Sequence, residues 1–216
     1  MNPNIQIIRY EVCESILWKN GGGSTKQLLI WPKGADLSNF DFRISIATIS
    51  SDGPFSLFHG IDRQLCILEG EGVRLHIKGN DLGQSDEIVL RPNDPPLCFS
   101  GETQIESKLL ANQILDFNVM TRRGNYKAKI ERIECTGTIQ IEAKDNSAHQ
   151  PTNTQPTQFL LPLAPISCIY QGEKIALQSY DLLQLTETKN TTAGCLTLIS
   201  RQATQLIRVC IEATQP

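Results

Sequence analysis

The run FDFRISIATIS, residues 40–50, narrows the fold more than any other stretch of the chain. Phe40, Phe42, Ile44 and Ile46 alternate with Asp41, Arg43, Ser45 and Ala47, which is the two-residue period of a strand with one buried face. VRLHIK repeats the pattern, with Val73, Leu75 and Ile77 on one side and Arg74, His76 and Lys78 on the other, before a turn at Gly79 to Asp81. Similar short runs recur at KIERIEC, TIQIEA, EKIALQ, DLLQLTE, CLTLIS and QLIRVCIE, separated by Gly, Asn, Asp or Pro. The best helix candidate, IESKLLANQIL (Ile105 to Leu115), shows no clear helical period and is read as strand. An all-β chain is expected, built as a sandwich, jelly roll or closed barrel.

A chain of 216 residues can bury the core of one large β domain or of two small ones. Its net charge of −3 and pI near 5.7, with no block of like charges, argue against a nucleic acid or a membrane surface as partner. The opening MNPNIQIIRYEVCESI lacks the basic and then apolar regions of a signal peptide. The longest apolar run, FLLPLAPISCIY, is short for a bilayer and is broken by Pro162 and Pro165. A cytoplasmic protein is expected. Its seven cysteines lie far apart with no CxxC pair, as reduced thiols do. KDNSAHQPTNTQPTQ, Lys144 to Gln158, is polar and carries two prolines, so a mobile loop is expected there.

FHGIDRQLCILEGEG, Phe58 to Gly72, resembles the metal-binding motif of a cupin barrel. Gly53, His59 and Gly72 keep the frame, but Ile61 and Leu65 stand where further ligands are needed. Metal ligation takes at least three convergent nitrogen or oxygen donors, and this stretch offers only His59. Neither a metal nor another cofactor is expected. His76 and His149 read as solvent-exposed, and His59 as a residue at a barrel mouth that could touch a ligand. The glycines of WKNGGGSTK superficially resemble a phosphate loop. Their spacing differs from that motif and no long helix follows, so a tight turn beside the barrel is the preferred reading.

Four blocks in order, WKNGGGSTKQLLIWP (from Trp18), FRISIATISSDGPFSLFHGIDRQLCILEGEGVRL (from Phe42), FSGE (from Phe99) and DFNVMTRRG (from Asp116), resemble the HutD/Ves family of bicupins. The resemblance implies two cupin-like barrels without the usual metal centre, the first over residues 1–125 and the second over 126–216. It also implies association with histidine utilisation or a stress response, and a histidine-degradation product such as N-formylglutamate as ligand. It implies no catalytic activity.

The residues point to an acid independently. Arg63, Arg43, Arg122 and Arg123 all fall in blocks expected to line or rim the first barrel, and a guanidinium presents paired donors that match a carboxylate. Asn118, Asn20 and Ser45 could add neutral hydrogen bonds, with Trp18 and Phe99 as apolar walls. Each arginine has a nearby acid that could pair with it instead: Asp62 for Arg63, Asp41 for Arg43 and Asp116 for Arg122. On the DFNVM strand, Asp116, Asn118 and Met120 share the face expected to look into the pocket. A small-carboxylate sensor is the leading expectation. One alternative is a metal-independent epimerase-like enzyme with His59 or Asp116 as general base. Another is an interaction module whose barrel edges could pair two copies into a homodimer.

Overall fold

In a computed structural model of the chain, the structure describes residues 5–78, 86–142, 157–185 and 195–214. Among these residues the regular structure is strand, apart from one 3-10 turn at Tyr10–Val12. The chain divides into two compact units: Glu14–Lys127, and Met1–Cys13 together with Ala128–Pro216.

The chain's first strand, β1 (Ile5–Ile8), belongs to the second unit. The Glu14–Lys127 unit then carries β2 (Ser15–Leu17), β3 (Gly23–Trp31), β4 (Phe42–Ile49), β5 (Gly53–Pro54) and β6 (Ile61–Glu69). β7 (Val73–Ile77), β8 (Asp86–Leu90), β9 (Leu97–Ser100), β10 (Ile105–Leu109) and β11 (Ile114–Arg122) follow. One sheet runs in the order β2, β3, β4, β11, β6, β9, and the other in the order β5, β10, β7, β8. Their inward faces meet in one core: Ile49, Leu65, Ile67 and Ile114 from the first sheet pack with Val73, Leu75, Leu90 and Ile105 from the second. Burying side chains of this size contributes roughly 1.5–3 kcal/mol each. The two-residue period of residues 73–77 appears as read, whereas β4 is buried on both faces, Ser45 and Ala47 as well as Phe42, Ile44 and Ile46. IESKLLANQIL is strand, in two pieces, with β10 ending at Leu109 and β11 starting at Ile114.

The second unit adds β12 (Tyr126–Glu142), β13 (Thr157–Pro162), β14 (Ile166–Tyr170), β15 (Glu173–Leu177), β16 (Leu182–Leu185) and β17 (Cys195–Ala213). The order across its sheet is β1, β16, β13, β17, β14, β15, with β12 also on β17. KIERIEC and TIQIEA fuse into the single strand β12, and CLTLIS and QLIRVCIE into β17. Leu160, Cys168, Leu183, Leu196, Leu198 and Leu206 form the centre of its core.

Two expectations change. Residues 5–13 do not join the first barrel: β1 pairs antiparallel with β16, Ile5 opposite Leu185. The Arg9 guanidinium fixes this strand by donating to Asp181 Oδ2 at 2.5 Å, while the Tyr10 N–H donates to Oδ1 at 3.0 Å. In the expected mobile loop Lys144 to Gln158, the last two residues, Thr157 and Gln158, begin β13. The rest of that loop, like the turn at 79–81, lies outside the described residues.

Candidate functional site

Directly opposed residues of an antiparallel ladder share a face, so the register of the six-stranded sheet lays out three rows on its inward side. Phe99, Arg63, Met120 and Arg43 form the first row. Leu97, Leu65, Asn118, Ser45 and Gln27 form the second. Ile67, Asp116, Ala47 and Thr25 form the third. Bulges between Gln27 and Leu29 on β3, and beside Leu115 and Asp116 on the β11–β6 ladder, restore the period so that the polar residues stay inside.

Arg63 is 8% exposed, and its guanidinium carbon sits 4.9, 5.4 and 5.7 Å from the ring centres of Phe99, Phe55 and Phe58. The negative ring faces favour the cation. One terminal N–H donates to the Ser56 carbonyl at 3.2 Å, yet Nε has no partner. Desolvation nevertheless lowers the Arg63 pKa to about 10, against the attraction of Asp116. Arg43 is steadied by neutral groups: its Nε donates to Gln27 Oε1 at 2.9 Å and a terminal N–H to Met120 Sδ at 3.7 Å.

Asp116 is 3% exposed, and burial pushes its carboxyl up to about 7, in opposition to Arg63, the Ala47 N–H and Arg43. Asp116 Oδ1 and Asn118 Oδ1 are both buried without a hydrogen-bond partner. The face therefore holds two cations, one reluctant anion and unsatisfied polar atoms. Unpartnered buried groups of this kind cost free energy unless something else satisfies them.

Of the residues singled out in the sequence, Arg63, Arg43, Asn118, Ser45 and Phe99 come together on this face. Trp18 reaches it through Thr25, donating from Nε1 to Oγ1 at 2.8 Å. The other candidates are engaged elsewhere. Asn20 is exposed and its Oδ1 accepts from the Gly22 N–H at 3.1 Å, closing the glycine turn. That turn lies at the Ile49 end of β4, six residues from Arg43, or about 20 Å along a strand. A Cβ on Gly23 would meet the Thr48 carbonyl oxygen at 2.3 Å, so close backbone approach accounts for the glycine there. His59 is exposed in the turn before β6. Arg122 donates to the Phe40 carbonyl from Nε at 3.0 Å and from a terminal nitrogen at 2.6 Å, which ties two strand ends together. Arg123 binds Asp62 Oδ1 at 2.7 Å and Glu102 Oε2 at 3.0 Å, and with Ser100 this network holds the Glu102 pKa well below the usual carboxylate range.

The acids expected beside the arginines are thus reassigned. Asp62 pairs with Arg123, Asp41 lies 3.8 Å from Arg122, and Asp116 faces Arg63 and Arg43. Sequence reading placed Asp116 on the pocket face but left it out of the binding set. It did not single out Gln27, Phe55 or Phe58, which reach Arg43 and Arg63 through long-range register and loop packing. Among the described residues, no group of three or more His, Cys, Asp or Glu is placed to hold a metal. Ile61 and Leu65 are core residues.

A cleft of about 500 Å³ also opens in the second unit, lined by Gln178, Ser200, Arg201 and Thr204 among others. Its buried hydroxyl is satisfied, Ser200 Oγ donating to the Gln202 carbonyl at 2.6 Å. The first barrel, by contrast, holds the unpartnered Arg63 Nε, Asp116 Oδ1 and Asn118 Oδ1.

Curled sheets of antiparallel strands around separate cores, in two units of one chain, define a bicupin. The family model HutD matches residues 10–200, and the chain belongs to that family. A 21.2 kDa uncharacterized protein from the hutC 3′ region of Pseudomonas putida is 34% identical over 139 residues, covering 64% of this chain and 70% of its own. Protein Ves of Citrobacter koseri is 34% identical over 123 residues, 56% of this chain and 60% of that protein. Among solved structures, a conserved protein of unknown function from Pseudomonas aeruginosa PAO1 superposes with a TM-score of 0.80 at 24% identity, over 96% of this chain and 98% of that one. HutD from Pseudomonas fluorescens SBW25, in a formate condition, gives 0.74 at 24% identity, over 98% and 100%. YlbA from E. coli shares the fold at a TM-score of 0.62 and 10% identity, over 100% of this chain and 94% of that one. No helix among the described residues is long and apolar enough to cross a membrane.

Proposed function

We propose that the first barrel binds a small carboxylate metabolite and that the protein acts as a sensor or modulator in histidine utilisation. The observation that carries this is Arg63: a buried guanidinium on an aromatic bed, with Nε unpartnered and Asp116, the acid whose charge acts on it, reluctant to ionise. A carboxylate accepting from Nε and a terminal nitrogen would form the paired contact for which a guanidinium is shaped. Membership of the HutD family and the relative from the hutC region support an acid of histidine degradation, with N-formylglutamate the leading candidate.

A thermal-shift screen of histidine-pathway acids tests the proposal. A ligand present at a hundredfold excess over its Kd stabilises by about 2.7 kcal/mol. A clear rise in melting temperature for one acid, abolished in Arg63→Ala, is the expected result. No Arg63-dependent shift for any acid would end it.

A second reading, a metal-independent enzyme acting on a small acid, is favoured by one observation. Asp116 is a buried carboxyl poised near neutrality beside two cations, as a general acid–base group must be. Proton NMR of the best-bound acid, incubated with the protein in deuterated water, separates the two readings. Exchange or conversion that is lost in Asp116→Asn marks an enzyme, and an unchanged spectrum marks a binder.

A further inference from the structure

Asp116 lies one row beyond Asn118 and two beyond the row that holds Arg63 and Arg43. The charged groups acting on it are Arg63 from β6 and Arg43 from β4, while Ser45, Gln27 and Thr25, which share its face from β4 and β3, are neutral. Its Oδ1 and the Oδ1 of Asn118 are both buried with no donor.

The ionised carboxylate draws on the same two guanidinium groups that an incoming anion needs, and it repels that anion. The protonated carboxyl does neither, and its O–H is a donor for the anion or for Asn118 Oδ1. Like charges brought together in a shielded site shift one of the pair toward its neutral form.

Building on the carboxylate reading above, we propose that the first barrel takes up an anion together with one proton, held on Asp116, so that this residue is an internal competitor which releases the arginines when it is neutral. The proton comes from solvent on binding and returns on release, and no bond of the ligand is broken. The free carboxyl titrates close to neutrality because it is buried, so the coupling acts in the range where cells work. Below that titration, affinity is independent of pH. Above it, affinity falls by about tenfold per pH unit until the bound form also titrates.

The probes are sodium formate and N-formyl-L-glutamate, each against sodium chloride at matched ionic strength. The titration of the Asp116 side-chain carbon is followed by carbon-13 NMR in the wild-type protein. Its midpoint is expected to rise by about one pH unit or more when the probe saturates the site. Asp116→Asn should bind the probe with an affinity that no longer changes between pH 6 and pH 8, but the wild-type titration decides the matter even if that variant folds poorly. If a probe binds in an Arg63-dependent way while the Asp116 midpoint stays put or falls, proton coupling is wrong and the carboxylate site stands. If neither probe shows Arg63-dependent binding, the carboxylate reading fails and this proposal with it.

Discussion

The guanidinium carbon of Arg63 lies 4.9 Å from the centre of the Phe99 ring, and the two residues are also partners across the β6–β9 ladder. The strand pairing holds the ring close to the cation, while Nε of the same guanidinium is left without a partner.

This arrangement sets the first prediction. Arg63→Lys should weaken acid binding nearly as much as Arg63→Ala, by on the order of 2–4 kcal/mol, since one ammonium cannot present two parallel donors. Phe99→Leu keeps the apolar volume but loses the ring face, and should cost about 0.5–1.5 kcal/mol of the same affinity. Calorimetry with the best acid from the screen measures both. A lysine variant that binds like wild type would show that charge alone suffices.

Arg122 and Arg123, adjacent in sequence, should separate cleanly. Arg122→Ala leaves the Phe40 carbonyl without two donors and should lower unfolding free energy by about 1–3 kcal/mol with little change in ligand affinity. Arg123→Ala breaks a solvent-facing network, and its effect on stability should shrink as salt is added. Urea titrations at low and high salt check both. A large loss of affinity in Arg122→Ala would return that residue to the binding set.

The raised pKa of Asp116 should leave a mark on stability even without ligand. The folded chain keeps this proton up to about 7, whereas an unfolded aspartate loses it near 3.9. The resulting stability is fully present below pH ~3.9 and is lost at up to about 1.4 kcal/mol per pH unit as the pH climbs toward 7. Glu102, with its lowered pKa, acts in the opposite sense and only at the acid end. Between pH 4.5 and 7, the wild type should therefore lose stability relative to Asp116→Asn. A constant difference between the two in denaturant titrations would show that Asp116 is ionised throughout.

Much of the fold was legible in the sequence because alternation is a local signal: residues 42–49 and 73–77 declare themselves strands without reference to their neighbours, although burial of Ser45 and Ala47 on the second face of β4 was not legible. The cluster of Arg63, Arg43, Ser45 and Asn118 was legible because those residues stand at in-phase positions of their strands. What each arginine pairs with was not, since adjacency in sequence suggested Asp62 for Arg63, whereas the strand carries those two side chains to opposite faces. Gln27 reaches Arg43 only because a bulge at Leu28 resets the phase of β3. The place of IQII was hidden for a similar reason, its partner strand lying far along the chain.

That partnership makes the Glu14–Lys127 unit, in effect, an insert within the other. Strand β1 cannot be paired until Leu182–Leu185 has been made, and the Arg9–Asp181 contact closes over 172 positions of chain. Loop closure on that scale is entropically slow, whereas the inserted unit can complete both of its sheets from contiguous sequence. Synthesis from one end to the other therefore finishes the inserted unit before the unit that flanks it in sequence, and a single cut of the chain cannot separate the two units whole.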